Sequence, residues 1–323
     1  MSIIGITIGL SFTLSLVAGP LLASWFGVRG IFWVTAILAV IGMLLVKYAM
    51  PDIKQQSFQR EAEADPSQFS EILKHPQLLR LDLGVFVLHA TLTAMFVVLP
   101  LALRDSAGLE STEHWEIYVP VMLLSFLLMV PFIIQAESRG RMKPIFVGAI
   151  ATIVLMQIGF GYLEQNFWTL FVLLLVFFTA FNLLEASLPS LVVKQSPADK
   201  KGTASGVYST SQFIGAAIGG VLGGYFYQYY GYNGVFIFTT IIGVVWLLIA
   251  ATMEKPLPLS IASVPVKELT EKDVKNFENE LLAYEGVYEV VVVAEEQRAY
   301  FKIDRKLVNE VTLIDYIEKS QTA

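Results

Sequence analysis

Eight stretches of this chain stay apolar for about 20 residues, at about 2–26, 30–50, 81–103, 115–136, 144–163, 168–193, 203–230 and 234–252. Hydrocarbon offers no hydrogen bonds to a backbone, so segments of that length cross it as helices. The expected fold is therefore an all-α polytopic membrane protein. Composition agrees, with 55% of residues hydrophobic and only 15% charged. There is no cysteine, which removes disulfides, thiolate metal sites and cysteine nucleophiles together. His75, His89 and His114 are too widely spaced for a local metal motif, so no metal or other cofactor is expected.

Orientation follows from lysine and arginine. Lys47, Lys54, Arg60, Lys74, Arg80, Arg139, Arg141, Lys143, Lys194, Lys200, Lys201 and Lys255 fall on one side of the eight spans, against Arg29 and Arg104 on the other. The basic side is cytoplasmic by the positive-inside rule, and it holds the polar connector 51–80 and the C-terminus. Within the connector, Asp65 can cap a short interfacial helix opened by Pro66, with Phe69, Ile72 and Leu73 as its apolar stripe and Pro76 as its stop.

The first span carries a Gly-Pro pair, Gly19 and Pro20, inside an apolar run. A second copy of its pattern lies two hundred residues on. Placing Gly19 on Gly219 brings Leu22, Phe26, Gly27, Gly30 and Phe32 opposite Leu222, Phe226, Gly231, Gly234 and Phe236, with four residues inserted before the turn. The copy of span one is span seven, so the repeating unit is six helices. Two six-helix units joined by a long cytoplasmic connector resemble the major facilitator superfamily. By that resemblance the chain holds eight of twelve helices: 1–50 ends the N-terminal half, 51–80 connects, 81–252 is the C-terminal half and 253–263 is a linker.

Motifs extend the resemblance. Proton-driven drug antiporters of this superfamily carry GxxxGPxxGG on their fifth helix, and here Ser15, Gly19, Pro20, Ala23 and Ser24 keep the Gly-Pro core with small residues for three glycines. "AESRGRMKP", with Glu137, Arg139, Gly140, Arg141 and Lys143, is similar to the second-half version of the family's acidic-Gly-Arg-Arg loop. The run from Phe181 to Gly220 closely resembles the tenth and eleventh helices of the YajR-like branch of drug:proton antiporters, which also carries a small cytoplasmic domain after its last helix. The resemblance implies a gating role for Gly19 and Pro20, and by the repeat for Gly219 and Gly220. It also implies a charge-relay role for the loop. An ordinary kinked packing helix and a plain positive-inside loop are the alternatives.

Residues 264–323 differ in kind. They contain eight basic and thirteen acidic residues, which argues against nucleic-acid binding. "VPVKEL" reads as a strand, Thr270–Tyr284 as a helix with Val274, Phe277 and Leu281 on one face, and "VYEVVVV" and "RAYFKID" as a hairpin in which Ala299, Phe301 and Ile303 point inward against Arg298, Tyr300 and Lys302. A last helix is expected from Thr312. This βαββα order is that of a ferredoxin-like α+β module, suited to docking or sensing a small ligand or protein.

Only His89 and Glu185 are ionisable and well inside spans; Asp82, Lys47 and Lys194 are near enough to span ends to reach the interface. Such a group at mid-bilayer costs roughly 2.5–3.5 kcal/mol on insertion scales and marks a cavity, a partner or an ion path. Pro189, four residues after Glu185, frees the Glu185 carbonyl; Asn182 lies one turn before it, and Gln157 and Gln212 can add polar wall. The chain shows no phosphate-binding loop and no nucleophile-base spacing, so no catalytic residues are assigned and an enzyme is not expected. The expected function is proton-coupled efflux of small apolar or cationic compounds by alternating access in the cytoplasmic (inner) membrane, with lipid, substrate and protons as partners. A static hydrogen-bonding role for Glu185 and His89, a non-transporting sensor, and an importer of another solute are the alternatives.

Overall fold

A computed structural model describes residues 2–49, 68–163, 166–197, 199–255, 260–266, 271–293, 297–304, 307–308 and 316–317. Its membrane part comprises α1 (Ser2–Ala49), the short α2 (Phe69–Ile72), α3 (Pro76–Asp105), α4 (Trp115–Ser138), α5 (Met142–Tyr162), α6 (Phe167–Gln195) and α7 (Lys201–Ala251). Six of these helices are long and apolar enough to span a bilayer. A straight helix of 51 residues would measure ~76 Å, more than twice the hydrocarbon thickness. The chain instead breaks at Gly231 (φ 65°, ψ −159°) in α7 and at Gly27 (φ 69°, ψ 173°) in α1, so each long helix is two spans.

Both breaks occupy a backbone region essentially restricted to glycine. They are the two glycines that the internal repeat places opposite each other. The chain doubles back at each: a Cβ added at Gly30 would collide with Phe26 Cβ, and one at Gly234 with Tyr230 Cβ. Phe226 and Phe238, twelve residues apart in α7, stack with ring centroids 4.8 Å apart. Gly231→Ala should therefore cost about 1–3 kcal/mol, seen as a lower melting temperature in detergent, while Gly224→Ala, with open space at its Cβ, should not destabilise.

The third span begins at Pro76, five residues before the expected 81. The short α2 ends at Ile72, ahead of Pro76, and Pro76 also opens α3 as its first residue, where His75 caps the helix with Nδ1 accepting from the Leu78 amide at 3.4 Å. The Asp65 cap and Pro66 lie outside the described residues. Of the expected stripe, Ile72 is buried, Phe69 packs against the core and Leu73 is exposed. Gln68 and Glu71 tie this segment to the start of α7 through Thr203 and Lys200.

α3 packs closely against the first arm of α7. Gly215, Gly219 and Gly223 follow a four-residue step and meet Phe86, Ala90 and Ala94 in turn, with the Gly223 Cβ position 2.7 Å from Ala94 Cα. Small residues every four positions form a groove that lets backbones touch. Thr93 Oγ1 donates to the Ala216 carbonyl at 2.9 Å across the same seam. Gly84 is covered by Trp246 of the second arm, so α3 is held by both arms of the hairpin.

The C-terminal unit contains β1 (Ser260–Pro265), α8 (Glu271–Leu282), β2 (Val287–Val293) and β3 (Arg298–Ile303) in an antiparallel sheet of order β1-β3-β2. The first strand begins four residues before the expected Val264, because Ser260–Pro265 pairs along the whole of β3. Phe277 and Leu281 of α8 join Ala299, Phe301 and Ile303 in a core separate from that of the membrane helices. Tyr300 and Lys302 do not point into solvent as the alternation suggested. Tyr300 is 0% exposed against Val291 and Val293, and Lys302 is 8% exposed and paired with Glu289 on β2. Val291 and Val293 on the neighbouring strand flank Tyr300 on this face of the sheet. Thr270 and the helix expected from Thr312 fall largely outside the described residues, though Tyr316 and Ile317 are helical.

Candidate functional site

Three helices bring their polar side chains together about halfway through the bundle. α3 and the first arm of α7 run parallel in the glycine-spaced seam, and α6 packs against both. This places His89, Gln212 and Glu185 side by side. The Gln212 side-chain amide donates to His89 Nε2 at 2.8 Å and reaches Glu185 Oε1 at 3.5 Å. His89 Nδ1 donates to the Val85 carbonyl at 3.2 Å, which fixes the tautomer with Nε2 as acceptor. Glu185 Oε2 lies 3.7 Å from His89 Nε2 and has no hydrogen-bond partner among the described residues.

Such a triad can hold a proton in more than one place. With Glu185 ionised and His89 neutral, the two amide hydrogens of Gln212 satisfy one acceptor on each side. A proton on His89 Nε2 would turn that nitrogen into a donor aimed at Glu185 Oε2. A proton on Glu185 would neutralise its carboxylate. Pro189 sits inside α6 beside this point, so the last turns of the helix lack one backbone bond where the carboxylate projects.

Two further groups belong to the same face and were not assigned to the site from the sequence. Asp82, expected to reach the interface, is 6% exposed, and its Oδ2 has no partner among the described residues. Packing against α7 turns it inward, and its seven-residue spacing from His89, two helical turns, was the available signal. Tyr208, one turn before Gln212, also buries a hydroxyl with no hydrogen-bond partner among the described residues and lies within electrostatic range of both Glu185 and Asp82.

The other candidates lie elsewhere. Asn182 donates to Ser125 Oγ of α4 at 2.9 Å. Gln157 accepts from Thr239 in the second arm of α7 at 3.1 Å. Gly219 is buried in the α3 seam, while Gly220 and Gly19 have open space at their Cβ positions. The Pro20 side chain lies outside the described residues. In the α4–α5 loop, Glu137 pairs with Lys194 of α6 at 2.9 Å, while Arg139, Gly140 and Arg141 are exposed and Lys143 is half-buried.

Eight spans in six helices, an internal repeat and a polar cluster inside the bundle define a membrane transporter of the major facilitator type. A family model described as Major Facilitator Superfamily matches residues 1–219 and 137–287, and one described as YajR YAM domain matches residues 268–319. The chain belongs to the major facilitator superfamily. It is 40% identical over 322 residues to the inner membrane transport protein YajR of Escherichia coli K12, covering 99% of this chain and 70% of that protein. It is 28% identical to an uncharacterized transporter of Buchnera aphidicola subsp. Baizongia pistaciae, over 77% of this chain and 64% of that one. The multidrug resistance protein MdtG of Proteus mirabilis is 30% identical over 48% of this chain and 39% of its own length. The relatives place the chain as an integral protein of the inner membrane, with the C-terminal unit matching the YAM domain.

Proposed function

We propose that this chain provides the C-terminal half of a proton-coupled exporter of small, apolar, neutral or cationic compounds, with Glu185 as the group that exchanges a proton or holds a cation and His89 as its partner. The observation that carries this reading is the meeting of His89, Gln212 and Glu185 from three helices at mid-bilayer, with one carboxylate oxygen unpartnered among the described residues. The likeness to a multidrug resistance protein supports the substrate class, and the lack of lysine or arginine in mid-span favours uncharged or cationic cargo. On this reading the Gly-Pro helix and the Glu137–Lys194 contact gate the cytoplasmic side, and the C-terminal unit is an accessory that binds a small ligand or protein.

Alternating access needs two halves around a central site. These 323 residues alone, reconstituted in sealed vesicles, should therefore show no gradient-driven flux. The test of the function is uptake of lipophilic cations into inverted vesicles by a twelve-helix transporter containing this sequence. Accumulation driven by an inward-acid pH gradient and abolished by a protonophore is expected; gradient-independent uptake would refute proton coupling.

A further inference from the structure

Asp82 is a buried acid that the His89–Gln212–Glu185 cluster does not use. It is the seventh residue of α3, so its Cα lies ~9 Å into the helix from the end that carries the basic loops, and His89 lies ~10 Å further along the same face. The residue is 6% exposed, and its Oδ2 has no hydrogen-bond partner among the described residues. No lysine or arginine among the described residues bears on its carboxyl. At this end of the bundle Lys194 pairs with Glu137 and Lys200 with Glu71.

The facing helix carries a matching stripe. Gly215 of α7 meets Phe86 of α3 and the two helices run parallel, so Tyr208 starts within one turn of the height of Asp82. Tyr208 and Gln212 share a face of α7, as Asp82 and His89 share one of α3. The charged groups that act on the Tyr208 hydroxyl are Glu185 of α6 and Asp82 of α3. Asp82 Oδ2, the Tyr208 hydroxyl and Glu185 Oε2 are thus three buried oxygens from three helices, each without a hydrogen-bond partner among the described residues. Burying such groups is costly, and acids inside membrane spans mark proton relays.

We infer that Asp82 is a second proton station, linked to Glu185 by the Tyr208 hydroxyl, through which Glu185 exchanges protons with water at the basic-loop end. In the outgoing step the Glu185 carboxyl gives its proton to Tyr208 Oη as the Tyr208 hydroxyl proton moves to the Asp82 carboxylate. Tyr208 ends as it began, Glu185 is left ionised, and Asp82 passes the proton to water. The inference rests on Glu185 being the proton-exchanging group, and it adds the route by which the proton arrives and leaves.

Time-resolved infrared spectroscopy of the 323-residue chain in lipid tests the route, with protons released by light from a caged proton donor in the bulk water. Asp82→Asn should slow protonation of the Glu185 carboxyl by roughly 10²-fold, the usual contribution of a positioned proton-transfer group, and Asp82→Glu should retain most of the rate. Tyr208→Phe changes no charge, so it should slow protonation while leaving the pH midpoint of Glu185 in place. Unaltered rates in Asp82→Asn and Tyr208→Phe, with Glu185 still titrating, would overturn the relay and leave the proposed function standing. Slowing in Asp82→Asn alone would overturn the Tyr208 link. A Glu185 carboxyl that never titrates in the unaltered chain would overturn the proposed function and the relay together.

Discussion

Gly219→Leu should dismantle the α3–α7 seam and cost the membrane part 3 kcal/mol or more, about the upper end of what overpacking a core costs. The new side chain would start where the Ala90 carbonyl, Ala90 Cα and the Thr93 hydroxyl already lie. Two of those atoms are backbone and cannot rotate away, so the helices must separate. Separation would also break the Thr93–Ala216 hydrogen bond and lift Gln212 away from His89, because the seam sets the distance between α3 and α7. The adjacent Gly220→Leu places the same volume in open space and should leave stability nearly unchanged. Unfolding in mixed micelles compares the two directly. Equal losses would mean that the seam is not what holds these helices.

Glu185→Gln should remove the pH dependence of transport in a twelve-helix protein carrying this site, bringing flux in a pH gradient down to the level without one. Glutamine keeps the volume and can still meet the Gln212 amide, so insertion and packing should survive. It cannot gain or lose a proton. Glu185→Asp shortens the reach to His89 Nε2, now 3.7 Å from the carboxylate, and should retain part of the coupling. His89→Gln removes the second proton-holding position and should weaken coupling less than Glu185→Gln. Coupled transport in Glu185→Gln equal to that of the unaltered protein would take Glu185 out of the mechanism.

Much of the fold was legible because a bilayer leaves few choices. Apolar length gave the spans. The repeat already paired Gly27 with Gly231, and both prove to be the breaks where a long helix doubles back. What sequence could not supply was the facing of polar residues within a helix that is apolar all round. Asn182 and Glu185 are three residues apart, yet one meets Ser125 on α4 and the other meets Gln212 on α7, because α6 is packed on several sides. Gln157 looked like a wall of the same cavity and instead bonds to Thr239 near the far end of the bundle. Asp82 looked like an interfacial charge because it is near a helix end; only the packing of α3 against α7 turns it inward. In the C-terminal unit, strict alternation misread Tyr300, which is buried beside Val291 and Val293 on the face expected to be solvated.

The account stands on Glu185 exchanging its proton inside the membrane, and infrared spectroscopy of the carboxyl group reads that exchange directly in this chain in lipid. As the pH is taken from acid to alkaline, a protonated-carboxyl band should disappear and a carboxylate band replace it. The pair should shift on deuteration and be missing from Glu185→Gln, with the His89 ring modes changing over the same interval. A Glu185 carboxyl whose bands stay fixed across that range, or a titrating band that persists in Glu185→Gln, would contradict it.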